Sequence, residues 1–176
     1  MSRVALLFAI AACGREASNE IPRREPRGSA IVVPDVTTID WRNQRYELAS
    51  LGIVATKDGR ADFRLIADAA GEMRAEQGAG SDGTAGSLVL APAHFADLDG
   101  DGHDEAIIPF EMRSMHADEA QHVFGAFAYT LRQGLPLRLG VVTAEAPIDV
   151  QGATLSTTEP PTRWTWKNGA FVADPT

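Results

Sequence analysis

The stretch His122-Val123-Phe124-Gly125-Ala126-Phe127-Ala128-Tyr129-Thr130-Leu131-Arg132-Gln133-Gly134-Leu135-Pro136-Leu137-Arg138-Leu139 decides the fold class. Val123, Phe127, Tyr129 and Leu131 all fall on one parity, which places them on one face of a strand running from His122 to Arg132. Gln133-Gly134 breaks the run. Leu135 to Leu139 then opens a second strand, which Gly140 need not interrupt before Val141-Val142. Two apolar runs joined by so short a turn fold back on each other as an antiparallel pair.

Toward the C-terminus the same grammar continues. Ile148 to Thr157 and Arg163 to Val172 read as further strands, and Asn168-Gly169 is a strong hairpin signal. Toward the N-terminus, Arg113 to Gln121 is polar and reads as a loop or short helical turn. Ala106-Ile107-Ile108 and Leu88-Val89-Leu90 read as strands, and Gln77 to Ser87, rich in Gly, Ser and Ala, as a flexible loop. The segment before it is ambiguous. Phe63 and Leu65 alternate as on a strand ending near Ala67, whereas Phe63, Ile66, Ala70 and Met73 also share a helical face over 61–76. Ile53-Val54-Ala55-Thr56 leads into a Lys57-Asp58-Gly59-Arg60 turn, Trp41 to Leu48 reads as a strand, and Ile31-Val32-Val33 as a short one. The expected fold is mainly β, a single antiparallel meander or sandwich-like domain over 30–176 with room for one short helix. No helical pattern recurs between strands, which argues against a doubly wound nucleotide-binding sheet.

The chain begins Met-Ser-Arg followed by an apolar run from Val4 to Ala12. A single positive charge before a short apolar run ending in small residues is the pattern of a secretory signal. About 20 apolar residues are needed to cross a bilayer. Ile10-Ala11-Ala12-Cys13 resembles the lipobox of bacterial lipoproteins, which implies cleavage after residue 12 and lipidation of Cys13. As the only cysteine in the sequence, Cys13 has no internal disulfide partner. In that family Gly14, in place of Asp, points to the outer membrane. Gly14 to about Ser29 lacks apolar periodicity and reads as a flexible tether, reaching on the order of 20 Å from its anchor. The organisation expected is therefore a signal peptide at 1–12, a lipid-anchored tether at 13–29 and the β domain beyond.

The whole chain carries a formal charge of −8, and loss of residues 1–12 removes Arg3 and no acid, leaving −9. Such acidity argues against nucleic acid and against a basic patch for anionic lipid headgroups. Membrane contact is expected through the lipid on Cys13 alone.

Five carboxylates, Asp97, Asp99, Asp101, Asp104 and Glu105, fall within nine residues that contain no Lys or Arg. So many like charges repel unless a cation or water separates them. Counting from Asp97, acids stand at the first, third and fifth positions and Gly102 at the sixth, the spacing of a calcium loop. His103 at the seventh would offer its backbone carbonyl. The twelfth position, where an EF-hand carries a bidentate Glu, is Ile108, so Glu105 at the ninth is the nearest substitute. The alternative is a solvated acidic turn, since Asp and Gly are turn residues in any case. Calcium is favoured over magnesium, which demands a stricter octahedron and keeps more water.

Asp97-x-Asp99-x-Asp101-Gly102-x-x-Glu105, followed directly by an apolar strand, resembles the calcium loop of FG-GAP and VCBS repeats. In that family the ninth position is usually Asp, and Glu105 departs from it. The resemblance spans about fifteen residues of 176 and implies an ion with a loop-then-strand geometry. It does not imply a propeller, because internal repeats are absent. Asp58-Gly59-Arg60-Ala61-Asp62-Phe63 echoes only the second half of the loop and reads as a hairpin turn.

Other constellations are weaker. Glu111 to His122 holds two histidines and three acids, but His116 and His122 are six apart, whereas a helical zinc pair stands at i and i+4. No Gly-x-Ser-x-Gly elbow or phosphate-cradling Gly motif occurs. The reading that emerges is a non-catalytic envelope lipoprotein, outer membrane or periplasm, whose β domain holds one structural Ca²⁺ and binds or scaffolds a protein or polysaccharide partner. Two rivals stand beside it. One is a calcium-assisted hydrolase using His94, His116 or His122. The other is a carbohydrate or surface-polymer binder using the Trp164 and Trp166 faces.

Overall fold

The computed structural model describes residues 34–80, 84–116 and 119–174, which belong to one unit, Val33–Thr176. The expected signal peptide, Cys13, the tether and the Ile31–Val33 strand lie outside the described residues.

Thirteen strands are found among the described residues: β1 (Arg45–Glu47), β2 (Ile53–Ala55), β3 (Arg60–Ala67), β4 (Met73–Gln77), β5 (Ala85–Leu90), β6 (His94–Ala96), β7 (Glu105–His116), β8 (Glu119–Arg132), β9 (Leu135–Ala144), β10 (Asp149–Gln151), β11 (Thr154–Thr158), β12 (Pro161–Lys167) and β13 (Ala170–Ala173). Every pairing between them is antiparallel. The mainly β expectation holds. The large sheet runs β4-β3-β5-β7-β8-β9, with β6 also on β7. A second sheet runs β10-β11-β12-β13, and β1 pairs with β2.

Strand β8 explains the layering. Its odd residues Phe127 and Tyr129 enter one core cluster, and its even residues Ala126 and Ala128 enter another. Burial on both faces needs a cover on both. On the aromatic side lie Trp41, Tyr46, Leu48 and Val54 from the β1–β2 ribbon and its approach. On the alanine side Val150 and Leu155 of the small sheet pack close, with Trp164, Trp166 and Phe171 at the margin. Small side chains on that face let the second sheet approach, as sandwich packing requires.

Proline in the middle of a central strand costs a ladder bond unless its position lacks a partner. Pro109 in β7 meets that condition, because it stands where β5 ends and β6 has not begun. Its carbonyl accepts the N–H of Ala91 from the connecting segment at 2.8 Å.

Several local expectations are corrected. The proposed strand from Trp41 begins instead as a 3₁₀ turn, Trp41–Asn43, because Asp40 Oδ1 accepts the Arg42 N–H at 3.2 Å and the Trp41 indole donates to the Val36 carbonyl at 3.0 Å. Residues 61–67 are strand, as preferred, and 73–77 a second strand, so the helix over 61–76 is excluded. Three 3₁₀ turns, Val36–Thr38, Trp41–Asn43 and Ala49–Leu51, are the only helical elements among the described residues. The polar 113–121 segment is not a loop at its described ends, since β7 and β8 stay paired to His116 and Glu119. The 77–87 loop is shorter than expected, with Gln77 in β4 and Ala85 to Ser87 in β5. The single strand expected over 148–157 is a hairpin turned at Gly152, whose φ is +57°.

Candidate functional site

The acidic loop connects β6 to β7. Its first carboxylate organises it: Asp97 Oδ1 accepts the N–H of Gly100 at 2.7 Å and of Asp101 at 3.2 Å, and Oδ2 accepts that of Gly102 at 3.0 Å. Asp99 Oδ1 accepts the Asp101 N–H at 3.1 Å, and Asp101 Oδ1 that of His103 at 2.8 Å. Gly100 and Gly102, at φ +80° and +88°, supply the left-handed backbone that wraps the loop around Asp97.

Glu105 is the first residue of β7 and is only 2% exposed. Its Oε2 accepts the N–H of Leu98 at 2.8 Å, tying the start of the loop to its end. Burial pushes its carboxyl above the usual range, and the nearby charges of Asp99 and Asp101 push the same way. The Leu98 N–H and the Thr130 hydroxyl oppose the shift.

The fold brings together one carboxylate oxygen each from Asp97, Asp99 and Glu105, all within 4.8 Å of one another. Asp101 lies outside this group and is engaged with the His103 N–H. Asp104 and the His103 side chain are exposed. Ile108, at the twelfth position, is core. Three oxygens at that separation, on hard carboxylate donors, suit an oxygen-seeking divalent cation such as Ca²⁺.

The histidines do not join this cluster. His94 is exposed on β6. His122 stands opposite Arg113, eight residues along β7 from Glu105, a separation of about 27 Å at strand rise. Its Nε2 is 2.8 Å from Glu111 Oε1. His116 is paired in register with Glu119. Trp164 and Trp166 share a face, as expected, and both pack against the smaller core cluster. Trp166 meets the Phe171 ring edge-on at 4.9 Å. The Asp58-Gly59 echo is a hairpin turn, with φ +53° and +81°, and Asp62 is held by Arg60.

A second polar cluster was not legible in sequence. Arg60, Arg113, Glu111 and His122 converge on the large sheet, although they come from three strands spread over more than sixty positions. Only pairing register brings them together.

No protein-family model, curated protein or solved structure matches this chain. The physical chemistry of its own residues therefore carries the functional argument.

Proposed function

We propose that this chain is an exported, lipid-anchored protein with a binding or scaffolding role, whose β domain is stapled by one calcium ion at the 97–105 loop. Asp97, Asp99 and Glu105 supply the nearest oxygens, with Asp101 and the His103 backbone carbonyl completing the shell as the loop tightens. The observation that carries the reading is the meeting of three carboxylate oxygens within 4.8 Å in a stretch without Lys or Arg. The ion would offset the repulsion and fix the entry to β7, the strand on which the large sheet is centred. The lipid anchor rests on the Ile10-Ala11-Ala12-Cys13 sequence.

Extracellular calcium modules bind at roughly 10⁻⁴–10⁻³ M. A site of ~10⁻⁴ M affinity in about 10 mM calcium gains ~2.7 kcal/mol. In a chain of this size that corresponds to a rise in Tm of about 5–10 °C. The test is thermal melting and calorimetric titration of the full chain after chelator treatment, beside Asp99→Ala. A calcium-dependent rise lost in the variant supports the site, whereas no rise in either protein refutes it. Cell fractionation of Cys13→Ser checks the anchor, which requires the variant to leave the membrane fraction.

A further inference from the structure

The large sheet carries a polar grid on the face away from its aromatic core. Register sets Arg60, Val89, Glu111 and Phe124 in one row across β3, β5, β7 and β8, and Asp62, Ser87, Arg113 and His122 in the next. This face hollows into a recess of about 610 Å³, and a smaller one of about 210 Å³ is lined by Arg60, Ser87, Val89, Glu111 and Arg113. Both guanidiniums border both recesses, one on each side of β5. The larger volume lies within the ~300–1,000 Å³ span of small-molecule sites.

Both arginines are held in the same way. Asp62 Oδ1 accepts from Arg60 Nε at 3.2 Å and Nη2 at 2.9 Å, and Glu111 Oε1 accepts from Arg113 Nε at 2.6 Å and forms an ion pair with its Nη2 at 2.6 Å. Each acid lies two residues away on the same strand and takes the Nε edge of its guanidinium, which orients the planar group. Among the described residues, neither Nη1 has a partner. The outer edge of each fork is left for a second oxyanion, the bidentate geometry that arginine offers to carboxylates. Ser87 adds a neutral donor, and His122 lines the recess with its ring nitrogen on Glu111. Val89 and Met115 give apolar flanks for C–H surfaces. Donors outnumber the two carboxylates, and each carboxylate already has its arginine.

We infer that this recess binds a small hydroxylated carboxylate of sugar-acid size, with Arg60 and Arg113 as its two forks and Ser87 contacting a hydroxyl. The site lies about 27 Å of strand from the acidic loop, so it stands or falls apart from calcium binding.

The test is an amide-resolved NMR titration of the full chain with D-galacturonate, D-galactose, tri-galacturonate and inorganic sulfate. D-Galacturonate should produce saturable shifts at Ser87, Arg113 and His122, and uncharged D-galactose should produce none. Arg60→Gln and Arg113→Gln should each weaken binding about tenfold or more while shifting the Tm by no more than about 4 °C, the scale of losing one exposed ion pair. Arg113→Lys should fail to restore binding, because an ammonium cannot fork. Tighter binding of the trimer identifies a polymer as the source of the carboxylate, and equal binding identifies the free sugar acid. Absence of saturable shifts overturns the inference. So does galactose matching galacturonate, sulfate matching it, or either Gln variant binding as the parent does.

Discussion

Phe110 and Gly125 stand directly opposite in the β7–β8 ladder, and the Phe110 ring occupies the space above the glycine. A Cβ on Gly125 would fall against that ring and 2.6 Å from the Val142 carbonyl oxygen. Phe63 covers Gly86 in the same manner across β3 and β5. The two pairs bring bulky rings down onto the sheet, where Phe110 stacks on Phe127 at 4.4 Å. Gly125→Ala should therefore destabilise by about 1–3 kcal/mol, the usual cost of overpacking. Denaturant unfolding measures it, and an unchanged midpoint would show that the ring and β9 yield freely.

Glu105 should separate charge from hydrogen bonding. Glu105→Gln keeps an acceptor for the Leu98 N–H and removes the buried charge, so the metal-free variant should stay folded while losing the calcium response. Glu105→Ala leaves the Leu98 N–H without its acceptor and should cost about 1–3 kcal/mol. Melting curves with and without calcium distinguish the three proteins. A calcium response retained in Glu105→Gln would remove Glu105 from the ligand set.

Glu111 gives a pH dependence of known sign. The Arg113 hydrogen bond first, then His122, holds its carboxyl below the usual range. A carboxyl lowered in the folded state adds stability that is present above the ordinary value of 4.5 and lost as pH falls through the lowered one. Its partners are largely exposed, so the contribution is of the order of an exposed ion pair, about 0–1 kcal/mol. Denaturation of the parent and Glu111→Gln should differ more at pH 6 than at pH 3. An equal difference at both would contradict the assignment, as would an NMR midpoint for Glu111 at or above the ordinary value.

Strand β9 ends the large sheet and carries Leu135, 70% exposed, with Leu137 and Val141 also exposed. Apolar edge strands template association. Leu135→Lys should leave stability within about 0.5 kcal/mol of the parent and reduce aggregation on heating, read by light scattering. A large loss of stability would show that Leu135 packs more tightly than its exposure indicates.

Much of the architecture was readable because strands alternate and their turns have chemical signatures. Gln133-Gly134 and Asn168-Gly169 both adopt the positive φ of tight hairpins, and both were legible from residue type alone. The acidic loop was equally local, since its spacing is a property of one short stretch. Polar strand ends were not. Residues 113–116 and 119–121 look like loop because they are mostly polar, while their backbones are paired across β7 and β8 in bonds that no local pattern records. The break at Gly152 is marked in sequence only by a shift of parity, from Ile148 and Val150 to Ala153 and Leu155, within a segment that alternates on both sides.

The sequence by itself determined the antiparallel β character, the hairpin turns and the order of carboxylates in the 97–105 loop, all of which depend on neighbours within a few positions. Tertiary structure decided the rest. It buried Glu105 while leaving Asp104 exposed, left Asp101 outside the three-oxygen cluster, and joined Arg60, Arg113 and His122 across three strands. Those outcomes depend on register and layer packing, where a shift of one residue exchanges the two faces of a strand. Side-chain alternation encodes a strand's two faces. Which face meets the core, and which residues meet across the sheet, follows only once every strand has found its partner.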